Sequence, residues 1–224
     1  EDTIKRTKAS VVFAPHMFGY PCSLNAIANL CKKYNAFLIE DAAQAYGLHL
    51  FSKELVGVAD ATLYSFGHSK IISAGGGGIV SSSDASLLTN IEKAYRSLEF
   101  LDVNDERLIN LYKDKYYDID PKFGKKQYSK LFKSLKPTYQ KRPETLNFEK
   151  ISSKFEQQIS IFNCRQELFA KQYELLSLDF GFDFKKFVPW RLSFLFSGDR
   201  EGYLAFLRKR GIHCSAWYRR ISPI

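Results

Sequence analysis

Between residues 10 and 98, short apolar runs alternate with segments of helical periodicity, and this alternation limits the fold more than any other feature of the chain. Ser10-Val11-Val12-Phe13-Ala14 has the character of a short buried strand. A loop through Pro15, Gly19 and Pro21 follows, and Ser23 then stands as an N-cap before Leu24, Ile27, Ala28, Leu30, Cys31 and Tyr34, which recur at helical spacing. Ala36-Phe37-Leu38-Ile39 is a continuous apolar run, the pattern of a parallel strand covered on both faces, and it ends in the acidic pair Glu40-Asp41. Further strands are predicted over residues 61–66 and 79–81, and a helix capped by Ser83 or Asp84 runs to about Leu98. Strands alternating with helices predict an α/β layer built on a mainly parallel sheet.

The second half reads differently. Ten Lys/Arg against three Asp lie between residues 113 and 142, so most of the net charge of +9 sits in one stretch, with aromatics interleaved and no clear periodicity. We read it as a solvated insertion or flap, with an anion-attracting surface as the alternative. A long helix is predicted over residues 151–176, a strand over 190–196, and an amphipathic helix over 200–210 stopped by Gly211. These elements suggest a smaller α+β unit. The expected organisation is 1–98 as an α/β domain, 99–146 as the basic insertion and 147–224 as the small C-terminal domain.

An apolar content of 45% is ample for a core, and no apolar run reaches the length of a membrane span. Cys22, Cys31, Cys164 and Cys214 are scattered, with neither metal-ligand spacing nor a disulfide framework, which points to a reducing cytoplasm. The polar N-terminus lacks the apolar centre of a signal peptide. Both ends look cut: the first residue is Glu, and Ile221-Ser222-Pro223-Ile224 closes no element.

Ligands of open α/β sheets collect at the C-terminal ends of strands, where Asp41 stands. A carboxylate there serves as a helix cap about as readily as it serves chemistry. Ser65 ends the next predicted strand, Lys70 follows five residues later, and the glycine run 75–78 marks either a close backbone approach to a ligand or a flexible turn. Taken together, an acid, an amide (Gln44), a hydroxyl and a lysine, each at or just past a strand end, are the groups a pyridoxal-phosphate site needs.

The stretch from Val11 to about Leu98 resembles the DegT/DnrJ/StrS-type sugar aminotransferases of the aspartate-aminotransferase (fold-type I) superfamily. The similarity rests on Pro15-His16-Met17-Phe18-Gly19-Tyr20-Pro21, Leu38-Ile39-Glu40-Asp41-Ala42-Ala43-Gln44-Ala45-Tyr46-Gly47, Val56-Gly57-Val58-Ala59-Asp60, Ser65-Phe66-Gly67-His68-Ser69-Lys70 and the glycine run with Ile79-Val80. The resemblance implies a fold-type I large domain with pyridoxal 5'-phosphate as cofactor. In it Lys70 is the catalytic Schiff-base lysine, Asp41 the partner of the pyridine nitrogen, Gln44 a neighbour of the ring near its phenolic oxygen, and Ser65 a phosphate ligand. It also matches Asn147 to an asparagine that reaches a neighbouring subunit's cofactor phosphate, although the arginine that follows in the family is replaced by Phe148-Glu149-Lys150.

The implied activity is amino transfer to a nucleotide-linked keto-sugar with glutamate as donor, in surface-polysaccharide or amino-sugar biosynthesis, by a cytoplasmic homodimer. A histidine in place of the lysine marks dehydratases of the family, so the presence of Lys70 favours amino transfer, and His68 reads as a packing residue. His16, His49 and His213 show no convergence in sequence and read as structural. Two competing readings stand beside this one: a truncated or degenerate paralogue without activity, and a basic nucleic-acid-binding protein. Because the family's phosphate-gripping helix and ring-stacking aromatic precede the matched stretch, the chain alone is expected to bind the cofactor weakly.

Overall fold

A computed structural model describes residues 1–67, 70–74, 76–118, 124–143, 148–175, 186–193, 196–212 and 214, without the side chains of 112–118, 124–128, 131 and 150. Its centre is a four-stranded sheet in the order β1 (Val11–Pro15), β2 (Phe37–Asp41), β3 (Ala61–Ser65), β4 (Gly78–Ser81). The first three strands run parallel, with Pro15 opposite Asp41 and Asp41 opposite Leu63, while β4 returns antiparallel to β3. The mainly parallel α/β fold expected from the apolar alternation is present.

Helix α1 (Asp2–Thr7) precedes the sheet, and α2 (Leu24–Lys33) crosses from β1 to β2. Leu24, Ala28 and Cys31 are the buried stripe of α2, at the spacing of one helical face. They pack with Ala14 and Leu38 of the sheet, Leu48 of the short α3 (Leu48–Phe51), Phe162 of the long α7 (Phe148–Leu175), and Val188. On the other face Val11 and Phe13 of β1 are 51% and 52% exposed, while in β2, the strand expected to be covered on both faces, Leu38 is buried and Phe37 and Ile39 are partly buried.

Two glycines fix close approaches. Gly19 has φ +93°, and a Cβ there would lie 2.2 Å from the Val188 carbonyl oxygen, so this loop can meet residue 188 only as glycine. At Gly78 a Cβ would lie 2.5 Å from the Tyr64 carbonyl oxygen, within the β3–β4 pair.

After β4 come α4 (Ala85–Arg96), α5 (Val103–Asp118) and α6 (Gly124–Leu135). Asp84 caps α4, its Oδ1 accepting from the Ser86 and Leu87 amides. The stretch read as aperiodic is thus largely helical. The signal is a reciprocal cap: Asp102 Oδ1 accepts from the Asn104 and Asp105 amides, and Asp105 Oδ2 from the Asp102 amide.

By spatial proximity the chain falls into two compact units, 1–191 and 192–224. In the second, α8 (Arg200–Lys209) is capped by Asp199 and ended by Gly211 at φ +74°, with the Ile212 amide reaching back to the Leu207 carbonyl. The strand expected over residues 190–196 is absent from the described part of that range, because the Trp190 amide folds back onto the Val188 carbonyl at 2.7 Å in a tight turn. Among the described residues no helix is long and apolar enough to cross a membrane.

Candidate active site

Strand pairing places the candidate residues. Side chains alternate across a sheet, so Asp41 and its partner Leu63 share a face, and Ser65, two residues on, shares it too. Glu40, Thr62 and Tyr64 project from the opposite, helix-covered face. Asp41 is half-buried at the end of β2, where its Oδ1 accepts from the Ala43 amide at 2.9 Å and its carbonyl oxygen accepts from the His16 amide at 3.0 Å.

Lys70 lies in the loop between β3 and β4. The Phe66 amide donates to Gly77 O and the Ala74 amide to Phe66 O, both at 3.0 Å, which closes the base of that loop. Phe66 and Ile72 are buried beside Ile151 of α7, and Lys154 Nζ donates to Ser73 O at 2.7 Å. A Cβ on Gly67 would lie 3.7 Å from Ser65 Oγ and 3.9 Å from Lys70 Cγ, so hydroxyl and lysine stem converge over this glycine. Burial lowers the Lys70 pKa, the Asp41 carboxylate raises it, and the Arg191 guanidinium lowers it again. The balance lies below the ordinary lysine value, so the amine gives up its proton more readily than an exposed lysine does.

Gln44 sits one turn past Asp41, and its Oε1 accepts from the Phe18 amide at 2.9 Å, tying it to the loop after β1. That loop continues to Tyr20, which stacks on Phe187 with centroids 4.9 Å apart; its hydroxyl bonds the Tyr173 hydroxyl and donates to the Arg191 carbonyl at 3.5 Å. The structure therefore brings Asp41, Ser65 and Lys70 together, with Gln44 on the adjoining loop. Asn147, His68 and His213 lie outside the described residues.

Sequence reasoning missed two features. Arg191 enters the electrostatic surroundings of Lys70 from far along the chain, with no local signal. The histidines judged not to converge do so: His16 Nε2 and His49 Nε2 both meet Glu40 Oε1, at 2.7 and 2.9 Å, and Thr62 Oγ1 donates to Glu40 Oε2 at 2.6 Å. The Cys22 amide donates to His16 Nδ1, so His16 carries its proton on Nε2 and donates it to Glu40. Burial pushes the Glu40 carboxyl up, but the bonds from His16, His49 and Thr62 outweigh it and hold it at about 2.

Residues 1–109 match the DegT/DnrJ/EryC1/StrS aminotransferase family. The GDP-perosamine synthase of Vibrio cholerae is 38% identical over 81 residues, covering 36% of this chain and 22% of that protein. The dTDP-3-amino-3,6-dideoxy-alpha-D-galactopyranose transaminase of Aneurinibacillus thermoaerophilus is 39% identical over 66 residues, covering 30% of this chain and 18% of the other. The matched part thus spans about a fifth of these curated relatives. A DegT/DnrJ/EryC1/StrS aminotransferase from Brucella abortus aligns over 94% of the chain and 50% of its own, with 16% identity and a TM-score of 0.56, a likeness of fold. The family is pyridoxal-phosphate dependent.

Proposed function

We propose that the chain is part of a pyridoxal-phosphate-dependent aminotransferase acting on a nucleotide-linked keto-sugar, with glutamate as the amino donor and Lys70 as its catalytic lysine. The observation that carries this reading is the convergence of a half-buried Lys70 amine with Asp41 and Ser65 past the ends of neighbouring strands. The residues present fit the cofactor. Gly67, without a side chain, leaves room between the Ser65 hydroxyl and the Lys70 stem. Lys70 would supply an amine of lowered pKa to hold the cofactor aldehyde, and once freed would carry the proton between the substrate carbon next to nitrogen and the cofactor's former aldehyde carbon. Asp41 would hold the ring nitrogen protonated, Ser65 would donate to the phosphate, and the Gln44 amide would lie against the ring. Asn147 is proposed to contact a neighbouring subunit's cofactor phosphate, within a homodimer. When bound, the cofactor provides the electron sink that lets a C–H bond next to nitrogen ionise. The nucleotide-sugar substrate is supported by relatives whose names specify GDP- and dTDP-linked amino sugars.

The test is selective trapping. The purified chain is exposed to limiting pyridoxal phosphate, reduced with borohydride and mapped by mass spectrometry. Label is expected to concentrate on Lys70 ahead of the exposed lysines, and to disappear from that peptide in Lys70→Ala. Label spread over surface lysines with no preference for Lys70 overturns the assignment.

A further inference from the structure

The face of the sheet opposite the candidate site holds a polar network that the aminotransfer reading does not use. Glu40 is fully buried and accepts from His16, His49 and Thr62. His49 Nδ1 in turn meets the Tyr64 hydroxyl at 3.0 Å, and burial, with the Glu40 charge second, raises the Tyr64 pKa to about 12, so this phenol stays protonated and donates. With His16 Nδ1 taken by the Cys22 amide, the described polar side-chain atoms at this junction form one connected set.

Three of its members lie next to, or within two residues of, backbone that holds the site. Glu40 precedes Asp41, Tyr64 precedes Ser65, and His16 lies two residues before Phe18, whose amide holds Gln44. The His16 backbone also donates to the Asp41 carbonyl. Successive side chains of a strand point to opposite faces, so fixing Glu40 and Tyr64 on one face fixes where Asp41 and Ser65 point on the other. We infer that Glu40 is a positioning residue: the Glu40 hub sets the orientation of Asp41, Ser65 and Gln44 through the backbone, without touching any ligand. A fully satisfied buried network has one low-energy arrangement, and a site a fraction of an ångström out of place loses much of its effect. The inference rests on the reading of those three residues as cofactor contacts.

Amide hydrogen exchange on the ¹⁵N-labelled chain tests it without cofactor. The Ala43 amide reports the Asp41 carboxylate and the Phe18 amide reports Gln44, while the Ala42 amide, bonded to Leu63 O at 2.9 Å, reports the sheet end itself. In Glu40→Gln the protection of Ala43 and Phe18 should fall about tenfold further than that of Ala42, the scale of one lost hydrogen bond. Thr62→Val, which removes one donor, should act in the same direction and less, and Leu135→Ala, in the remote α6, should leave the ratios unchanged. Equal loss at all three amides makes Glu40 a core residue only and overturns the inference. If Glu40→Gln does not fold, Thr62→Val decides by the same ratio. Trapping at Lys70 is scored separately, so label spread over surface lysines with no preference for Lys70 removes the aminotransferase reading and leaves the amide result standing.

Discussion

At Lys70 three influences act on one amine, and their signs can be separated by mutation. The Asp41 carboxylate raises the Lys70 pKa against burial, and the Arg191 guanidinium lowers it. The pH profile of trapping should therefore rise with a midpoint below the ordinary 10.5, move lower in Asp41→Asn and higher in Arg191→Gln. Unchanged midpoints in both variants would remove Asp41 and Arg191 from the surroundings of the amine. Glu40 acts on stability instead. Its carboxyl titrates near 4.5 when unfolded and at about 2 when folded. Its contribution is thus complete above 4.5 and is lost as pH falls towards 2. Glu40→Gln should flatten the acid branch of a stability-versus-pH curve in that window, and Glu40→Ala should cost about 3–5 kcal/mol at neutral pH, measured by urea unfolding. Asp41, Ser65 and Lys70 were legible in the sequence because each ends or follows a strand within a local motif. Arg191 and the two histidines were not, because only strand register and the docking of residues 186–191 bring them near.

The elements of the first hundred residues were legible because apolar period and caps agree there. Asp84, in particular, both predicts and forms its cap, and Asp84→Ala should cost about 1 kcal/mol, read from thermal unfolding. The basic stretch was misread because closely spaced charged and aromatic residues obscure its helical period; among its described apolar side chains Phe132 is exposed and Leu135 is buried. Its order comes from the Asp102–Asp105 cap and from Lys141, whose Nζ lies 2.6 Å from Asp105 Oδ2. The strand expected over 190–196 is missing from the described part of that range for a separate reason. Aromatic composition favours a strand only where a neighbouring edge is available, and here the backbone of residues 187–190 bonds to Gly19, to Gln166 and to itself.

Across the whole molecule, the bare face and the outer edge of β1 stand out. Among the described residues β1 has a neighbour on one side only, and Val11 and Phe13 project together from the uncovered face. Exposed edges with alternating apolar residues invite pairing with other chains. The purified chain should self-associate with rising concentration in sedimentation velocity, and Phe13→Lys should suppress this without lowering the unfolding midpoint.

The reversal of β4 against β3 has a consequence for the order of folding. The two parallel pairings each enclose a crossover, whereas β3 and β4 close only the loop that carries Lys70, and shorter closures cost less chain entropy. The lysine's strand pair can form before the carboxylate's strand finds its place, so the nucleophile is set early and its electrostatic partner arrives with the slower, longer-range contacts. Substitutions in β4, with Gly78→Ala the most disruptive because of the Tyr64 carbonyl, should slow refolding, while Leu38→Ala in β2 should mainly hasten unfolding. Stopped-flow chevrons with the opposite pattern would show that the parallel core forms first and the lysine loop condenses onto it.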